Sequence, residues 1–263
     1  METAQSSAHF IDAAGLIGAG RASGLFHPFG ADAESFLQQI ALDADPADLE
    51  GLEPDDLISL ASSIWTWAAH KHPDKREIRL IEGRDHKGRP LRRDILEIVG
   101  PDVPFLVDSV IAELGAQGAH LLALFHPIVE VRRDADGTRC DQGVPRRESL
   151  IQVHLQTVPA SKRDAVLMGV RETLNDVAMS VSDFAAMKAR MLASAGALAL
   201  APSHIDPEEV SEAIAFLRWL ANDHFTFLGA RSYDFPMLVD PDEAPPEPII
   251  RDELNLGILR DPL

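Results

Sequence analysis

The stretch "RDILEIVGPDVPFLVDSVIAELGAQG", residues 93–118, decides the fold. Its first part, "RDILEIV" (93–99), is short, rich in Ile, Leu and Val, and bounded by charge and glycine, which is the composition of a strand. Beyond Gly100 the period changes. Asp102 is placed to cap a helix, Pro104 suits a first turn, and Leu106, Val107, Val110, Ile111 and Leu114 fall on one apolar stripe before Gly118. The spacing predicts a strand, a tight turn at Gly100–Phe105 and a helix over 104–117.

Working outward, three more segments read as strands: "REIRLIE" (76–82), "FHPIVEVRR" (125–133) and "SLIQVHLQTV" (149–158). In the last, Ile151, Val153 and Leu155 alternate with Gln152, His154 and Gln156, so one face is buried and the other is wet or paired. A second helix is expected over 160–179, with Val166, Leu167, Val170 and Leu174 inward. The order β-α-β-β-α within residues 92–180 points to an α+β, ferredoxin-like antiparallel sheet with both helices on one face. That arrangement leaves the other face or an edge for a partner.

The flanks are less regular. "LIGAGRASG" (16–24) has the glycine spacing of some dinucleotide loops, but "HFIDAAGL" supplies no strand before it and Pro28 breaks the helix that should come after. Residues 1–30 therefore read as a flexible arm and 31–75 as a helical segment, with apolar positions at 36, 37 and 40 and again from Leu57 to Ala68 behind "EPDD". The sheet domain is assigned to 76–192, an Ala/Gly/Pro/Ser linker to 193–205, and the start of a second α+β module to 206–263, with a helix after "DPEE" and a strand over 224–235. The acidic, Pro-rich "VDPDEAPPEP" (239–248) reads as a loop or disordered arm.

Composition narrows the function. With 42 acidic against 24 basic residues, a net charge of −18 repels phosphate backbones and acidic lipid, so neither nucleic acid nor membrane is an expected partner. The basic residues concentrate locally: residues 70–93 hold nine Lys/Arg against four Asp/Glu, which reads as solvated decoration of strand edges or as a docking surface for acidic partners. No apolar run reaches the roughly 18 residues of a transmembrane helix, and the single Cys140 suits a reducing cytoplasm.

Enzyme readings fare poorly. Ser149 and His154 stand five apart on one strand and so face opposite sides, which denies them a triad. His70 and His72 lack a third ligand for zinc, and His120, His126 and His224 read as packing or hydrogen-bonding residues. No catalytic, cofactor or metal residue is assigned.

"PDVPFLVDSVIAELGAQGAHL" resembles the ACT-domain pattern, an Asp-x-Pro-Gly-Leu turn followed by a helix and a glycine. Taken in order with "HPIVEVRRDADG", "ESLIQVHL" and "FLRWLANDHFTFLGARSYDF", it resembles more narrowly the N-terminal region of the large bacterial NAD-dependent glutamate dehydrogenases, over residues 50–263. The ending "LNLGILRDPL" also resembles an internal segment of those enzymes. The resemblance implies ACT-like and PAS-like regulatory modules, with NAD binding and glutamate deamination further along a longer chain. Expected partners are then the other domains and subunits of a homo-oligomeric parent. An amino-acid effector is implied at the turn, through Gly100, Asp102, Val103, Pro104, Phe105, Asp108 and Ser109. The chain departs from the family pattern at Phe105, where the pattern has glycine, so a ring could fill the pocket. An assembly module without a ligand is the alternative.

Overall fold

The structure is a computed structural model, and it describes residues 12–27, 29–45, 51–71, 75–200, 205–235 and 247–260. The chain divides into two compact units, Met1–Arg171 and Glu172–Leu263. The boundary falls inside a helix, about twenty residues earlier than the sequence suggests.

Unit 1 is built on an antiparallel sheet. Its strands are β1 (Glu77–Arg84), β2 (Pro90–Pro101), β3 (Leu121–Phe125), β4 (Ile128–Arg133), β5 (Arg139–Cys140) and β6 (Arg146–Gln156). The order is β1-β2-β6-β4-β5, and β3 also pairs with β6. The expected βαββα run is present, with helix α4 (Leu106–Ala116) after β2 and helix α5 (Arg163–Leu200) after β6. The edge beside β2 is taken by β1, which arrives from the N-terminal side as a hairpin.

Strand register sorts the faces. Leu96, Ile98, Ile151 and Val153 share one face and are fully buried; the buried Leu106, Val110 and Leu114 of α4 and Val166 and Val170 of α5 supply its apolar cover. Close helix packing is visible at Gly169, where an added Cβ would collide with Glu113 of α4.

The other face is not left open. Three helices cover it: α1 (Ala13–Ser23), α2 (Ala31–Asp43) and α3 (Pro54–Trp67). Phe36, Leu37, Ile40, Ile58 and Ile64 form one core with Val99, Phe125, Val129, Val131 and Leu150 of the sheet. Phe26, Phe36 and Trp65 meet with ring centroids 5.1–6.3 Å apart. This corrects two expectations. The face left free for a partner in the sequence reading carries α1–α3, and residues 13–23 of the presumed flexible arm are a helix, capped by Asp12, with Leu16 buried. Residues 1–11 of that arm lie outside the described residues.

Why the middle strand divides is also clear. Residues 125–133, expected as one strand, break at His126-Pro127, because Pro127 cannot donate to the ladder. Helix α2 repairs the gap. The Gln39 amide donates to the Ile128 carbonyl (2.9 Å) and accepts from its N–H (2.8 Å), and Asp43 accepts from the His126 N–H (2.8 Å).

The alternating polar residues of β6 are paired rather than wet. Gln152 donates to Glu97 (3.0 Å) and to the Leu60 carbonyl of α3 (2.8 Å), Arg79 also donates to Glu97, and His154 donates from Nε2 to Gln152 (3.3 Å). Arg93 donates to Nδ1 of His154 (3.4 Å), an arrangement that requires a neutral ring. Burial, reinforced by Arg93, pushes the His154 pKa down to about 3.

A second buried group ties down the end of α3. Arg133 forms a bidentate pair with Glu148 (2.7 and 2.8 Å) while donating to the carbonyls of Ala68, Ala69 and Gly137, and Lys71 approaches Glu148 at 3.4 Å. Arg139 lies 3.7 Å over the Trp65 ring. The basic run at 70–93 divides: Lys71, Arg79 and Arg93 serve the buried Glu148, Glu97 and His154, whereas Lys75, Arg84, Lys87, Arg89 and Arg92 are exposed.

In unit 2, α5 continues as helix to Leu200, so residues 193–200 of the expected linker are helical; 201–204 lie outside the described residues. Helix α6 (Pro207–Trp219), capped by Asp206, runs into a kinked turn, Leu220–His224, in which Asn222 and Asp223 leave helical geometry. The expected strand over 224–235 reduces to two-residue pieces, β7 (Gly229–Ala230) and β8 (Tyr233–Asp234), which pair with β10 (Leu256–Gly257) and β9 (Ile249–Ile250). Most of the acidic stretch at 239–248 lies outside the described residues.

Candidate functional site

The turn between β2 and α4 is built as a close-packed corner. Gly100 pairs with Ser149 across the sheet, and an added Cβ there would meet Arg76 Cγ at 2.9 Å, so the position suits glycine alone. Arg76 in turn donates to the Pro101 carbonyl (3.3 Å). Asp102 donates its N–H to the Arg147 carbonyl (3.3 Å) and its carboxylate meets the Arg147 guanidinium at 3.0 Å. Val103 is half-buried and Pro104 exposed.

Phe105 has φ 68° and ψ 7°, the left-handed region, where a side chain costs about 1–2 kcal/mol. Phe105 is 53% exposed. Phe105→Gly should therefore be tolerated, the relieved strain offsetting the entropy that glycine adds to the unfolded chain, whereas Phe105→Ala keeps the strain. The glycine variant is expected to be more stable than the alanine variant by about 1 kcal/mol in urea titrations. Equal stabilities would contradict the left-handed assignment.

Helix α4 begins without a side-chain cap. Its first-turn N–H groups and dipole favour an anion, and Arg76 and Arg147 add positive charge nearby. Asp108 is exposed in that first turn, and Ser109 is half-buried with its N–H donated to the Phe105 carbonyl (3.2 Å). The structure thus brings Gly100, Asp102, Phe105, Asp108 and Ser109 to one corner, but Asp102 is engaged by Arg147.

Three residues at this corner escape a reading of the turn alone. Ser149 Oγ and His126 Nε2 are 2.8 Å apart, and Arg147 stands after Arg146 in a polar run that carries no motif. Ser149 and His154 do face opposite sides, as expected; the partner of Ser149 is His126, and Ser149 is only 2% exposed, out of a substrate's reach. Burial lowers the His126 pKa, opposed by the charges of Asp102 and Asp43. Of the two histidines weighed for zinc, His70 pairs with Thr138 (3.0 Å) and His72 lies outside the described residues. Among the described residues no group of acids, histidines and cysteine is arranged to hold a metal ion, and no helix is long and apolar enough to cross a membrane.

The comparisons with known proteins meet this geometry directly. Residues 36–168 match the family described as glutamate dehydrogenase, ACT1 domain, a span that starts within α2 and ends within α5. The NAD-specific glutamate dehydrogenases of Halomonas elongata and Pseudomonas aeruginosa are each 31% identical, over 198 and 238 residues. The matches cover 71% and 87% of this chain but only 12% and 14% of those enzymes. An antiparallel sheet of the βαββα type and a family match over half the chain converge: this chain belongs to the glutamate dehydrogenase ACT1 family.

Proposed function

We propose that this chain is a regulatory and assembly region of a large NAD-specific glutamate dehydrogenase, the parent enzyme oxidising L-glutamate to 2-oxoglutarate with NAD in the cytoplasm. The observation that carries the reading is the family match over an ACT1 domain in a chain that spans 12–14% of its relatives' length. The region itself has no activity under this reading; glutamate-dependent NADH formation by the isolated chain above a blank would refute that part.

The corner at Gly100–Ser109 is the proposed effector site, taking the carboxylate of a free amino acid at the uncapped start of α4. The ligand's ammonium group would compete with Arg147 for Asp102. Binding to the folded state alone raises the melting temperature as ligand concentration exceeds its dissociation constant. A thermal-shift screen of the amino acids at about 100 times an expected affinity should therefore give a stabilisation of about 2.7 kcal/mol for the true effector. No shift for any of them, in wild type or in Phe105→Gly, would remove the effector reading. The assembly reading has its own support in the exposed Phe216, Trp219, Phe225, Leu228 and Phe235 of unit 2, and light scattering on the purified chain tests it.

A further inference from the structure

His126 stands at the break between β3 and β4, and three elements meet at it. Its backbone N–H is held by Asp43 at the end of α2 (2.8 Å), and its Nε2 lies 2.8 Å from Ser149 Oγ on β6. The next residue, Pro127, accepts the Leu150 N–H at 2.9 Å, so the ring cannot drift from β6. Ser149 in turn sits opposite Gly100, the first residue of the corner. The half-buried imidazole is thus fixed where α2 and the β2–α4 turn share a neighbour.

The charges acting on the ring come from both sides. Asp43 draws a proton to it from α2 and Asp102 from the turn, while burial resists the charge. Of these two acids Asp102 is the one whose surroundings can change. Its partner, the Arg147 guanidinium at 3.0 Å, is 68% exposed and shares its charge with solvent, so one cation can replace another there without disturbing the fold. Arg76, the other cation of the corner, donates to the Pro101 carbonyl.

We propose that His126 links proton binding to occupancy of the Gly100–Ser109 corner: the ring takes a proton readily while only Arg147 offsets Asp102, and gives it up when a ligand's ammonium group settles on that carboxylate. The ligand rests on the effector reading above; the action of Asp102 on His126 does not. Linkage is reciprocal, so a proton on His126 weakens the ligand by the factor by which the ligand weakens the proton. His126 is a positioning residue in this scheme, reaching the corner through Ser149 and through the field of Asp102. A histidine that merely fills the break and satisfies Ser149 would titrate with no regard for Asp102.

The Cε1–H resonance of His126 in the 263-residue chain, followed against pH by NMR and assigned with His126→Gln, reads the proton directly. Its midpoint is expected below 6.5. Asp102→Asn should lower it further, by about half a unit, and Arg147→Gln, which leaves Asp102 without its cation, should raise it. Shifts of opposite sign separate charge from a general loosening, which would move both variants the same way. Each free amino acid is then titrated at up to about 10 mM by calorimetry. Any that binds should do so about threefold more weakly at about pH 5.5 than at about pH 7.5, and His126→Gln should abolish that difference. If none binds, the effector reading falls and opposite NMR shifts still uphold the action of Asp102 on His126. The proposal is overturned if the two variants leave the midpoint in place or move it the same way, or if an amino acid binds equally well at both pH values.

Discussion

Glu148→Ala is expected to destabilise unit 1 by about 3–5 kcal/mol, because it removes the carboxylate around which buried cations are arranged. The Glu148 and Arg133 side chains are each 2% exposed. Burial already pulls the Lys71 ammonium and the Arg139 guanidinium below their usual pKa values, the latter to about 10, and in both cases Glu148 acts against the shift while Arg133 adds to it. Without the acid, three cations would face one another under the end of α3. A domain of ordinary stability, about 5–15 kcal/mol, would lose a large part of it. Glu148→Gln, which keeps acceptor capacity but no charge, should fall between. Urea titration by far-UV circular dichroism measures the series, and a loss below about 1 kcal/mol for the alanine variant would mean that the ion pairs are replaceable.

His154 carries the second large effect, in the pH dependence of stability. Its folded pKa of about 3 lies below the 6.5 of an exposed imidazole. The unfolded chain therefore takes up a proton as pH falls through 6.5, and the folded chain does not until about 3. Stability from this group is complete above the higher value and declines below it, with a slope approaching about 1.4 kcal/mol per pH unit and a loss of about 2–3 kcal/mol between about pH 6 and 4. His126, also lowered, acts in the same direction. Glu97 acts in the opposite one: burial raises its pKa, so its contribution is fullest in acid and is lost as pH rises through the folded value. The difference between wild type and His154→Gln isolates the imidazole. The variant should show a visibly flatter stability profile from about pH 6.5 to 4, and parallel profiles would show that His154 is not held neutral.

Much of unit 1 is legible in the sequence for identifiable reasons. The strand–turn–helix at 93–118 announces itself because Ile95, Ile98, Leu106, Val110 and Leu114 must be apolar to be buried against the sheet's neighbours. The polar side of β6 is misleading. Gln152 and His154 alternate as solvent-facing residues do, yet their hydrogen-bonding needs are met by Glu97, Arg93 and the Leu60 carbonyl, partners far away in sequence. Helix α1 hides for a different reason: its apolar side is made of Leu16 and small residues, and Gly20 matters because Leu37 occupies the space where a side chain would stand. The break at Pro127 was readable from the proline itself. At 193–200 the same Ala-rich composition serves a linker or a helix, and the helical propensity of alanine prevails. Of the candidate site, the turn residues come from one segment, whereas Arg76, His126, Arg147 and Ser149 join it only through tertiary pairing.

The Gln39 amide that bridges the break at Ile128 bears on where this domain can be cut. Two backbone groups of a central strand are completed by a side chain from a helix 89 residues earlier. A shortened protein starting at β1 would keep every strand and both helices of the βαββα run, yet it would bare an apolar sheet face and strand the amide and carbonyl of Ile128. Heredity leaves its mark in the same place: the family match begins at residue 36, inside α2, not at the first strand. Most of α2, all of α3 and the sheet thus fall inside one family match, and a protein cut at β1 is expected to aggregate rather than fold as a smaller domain.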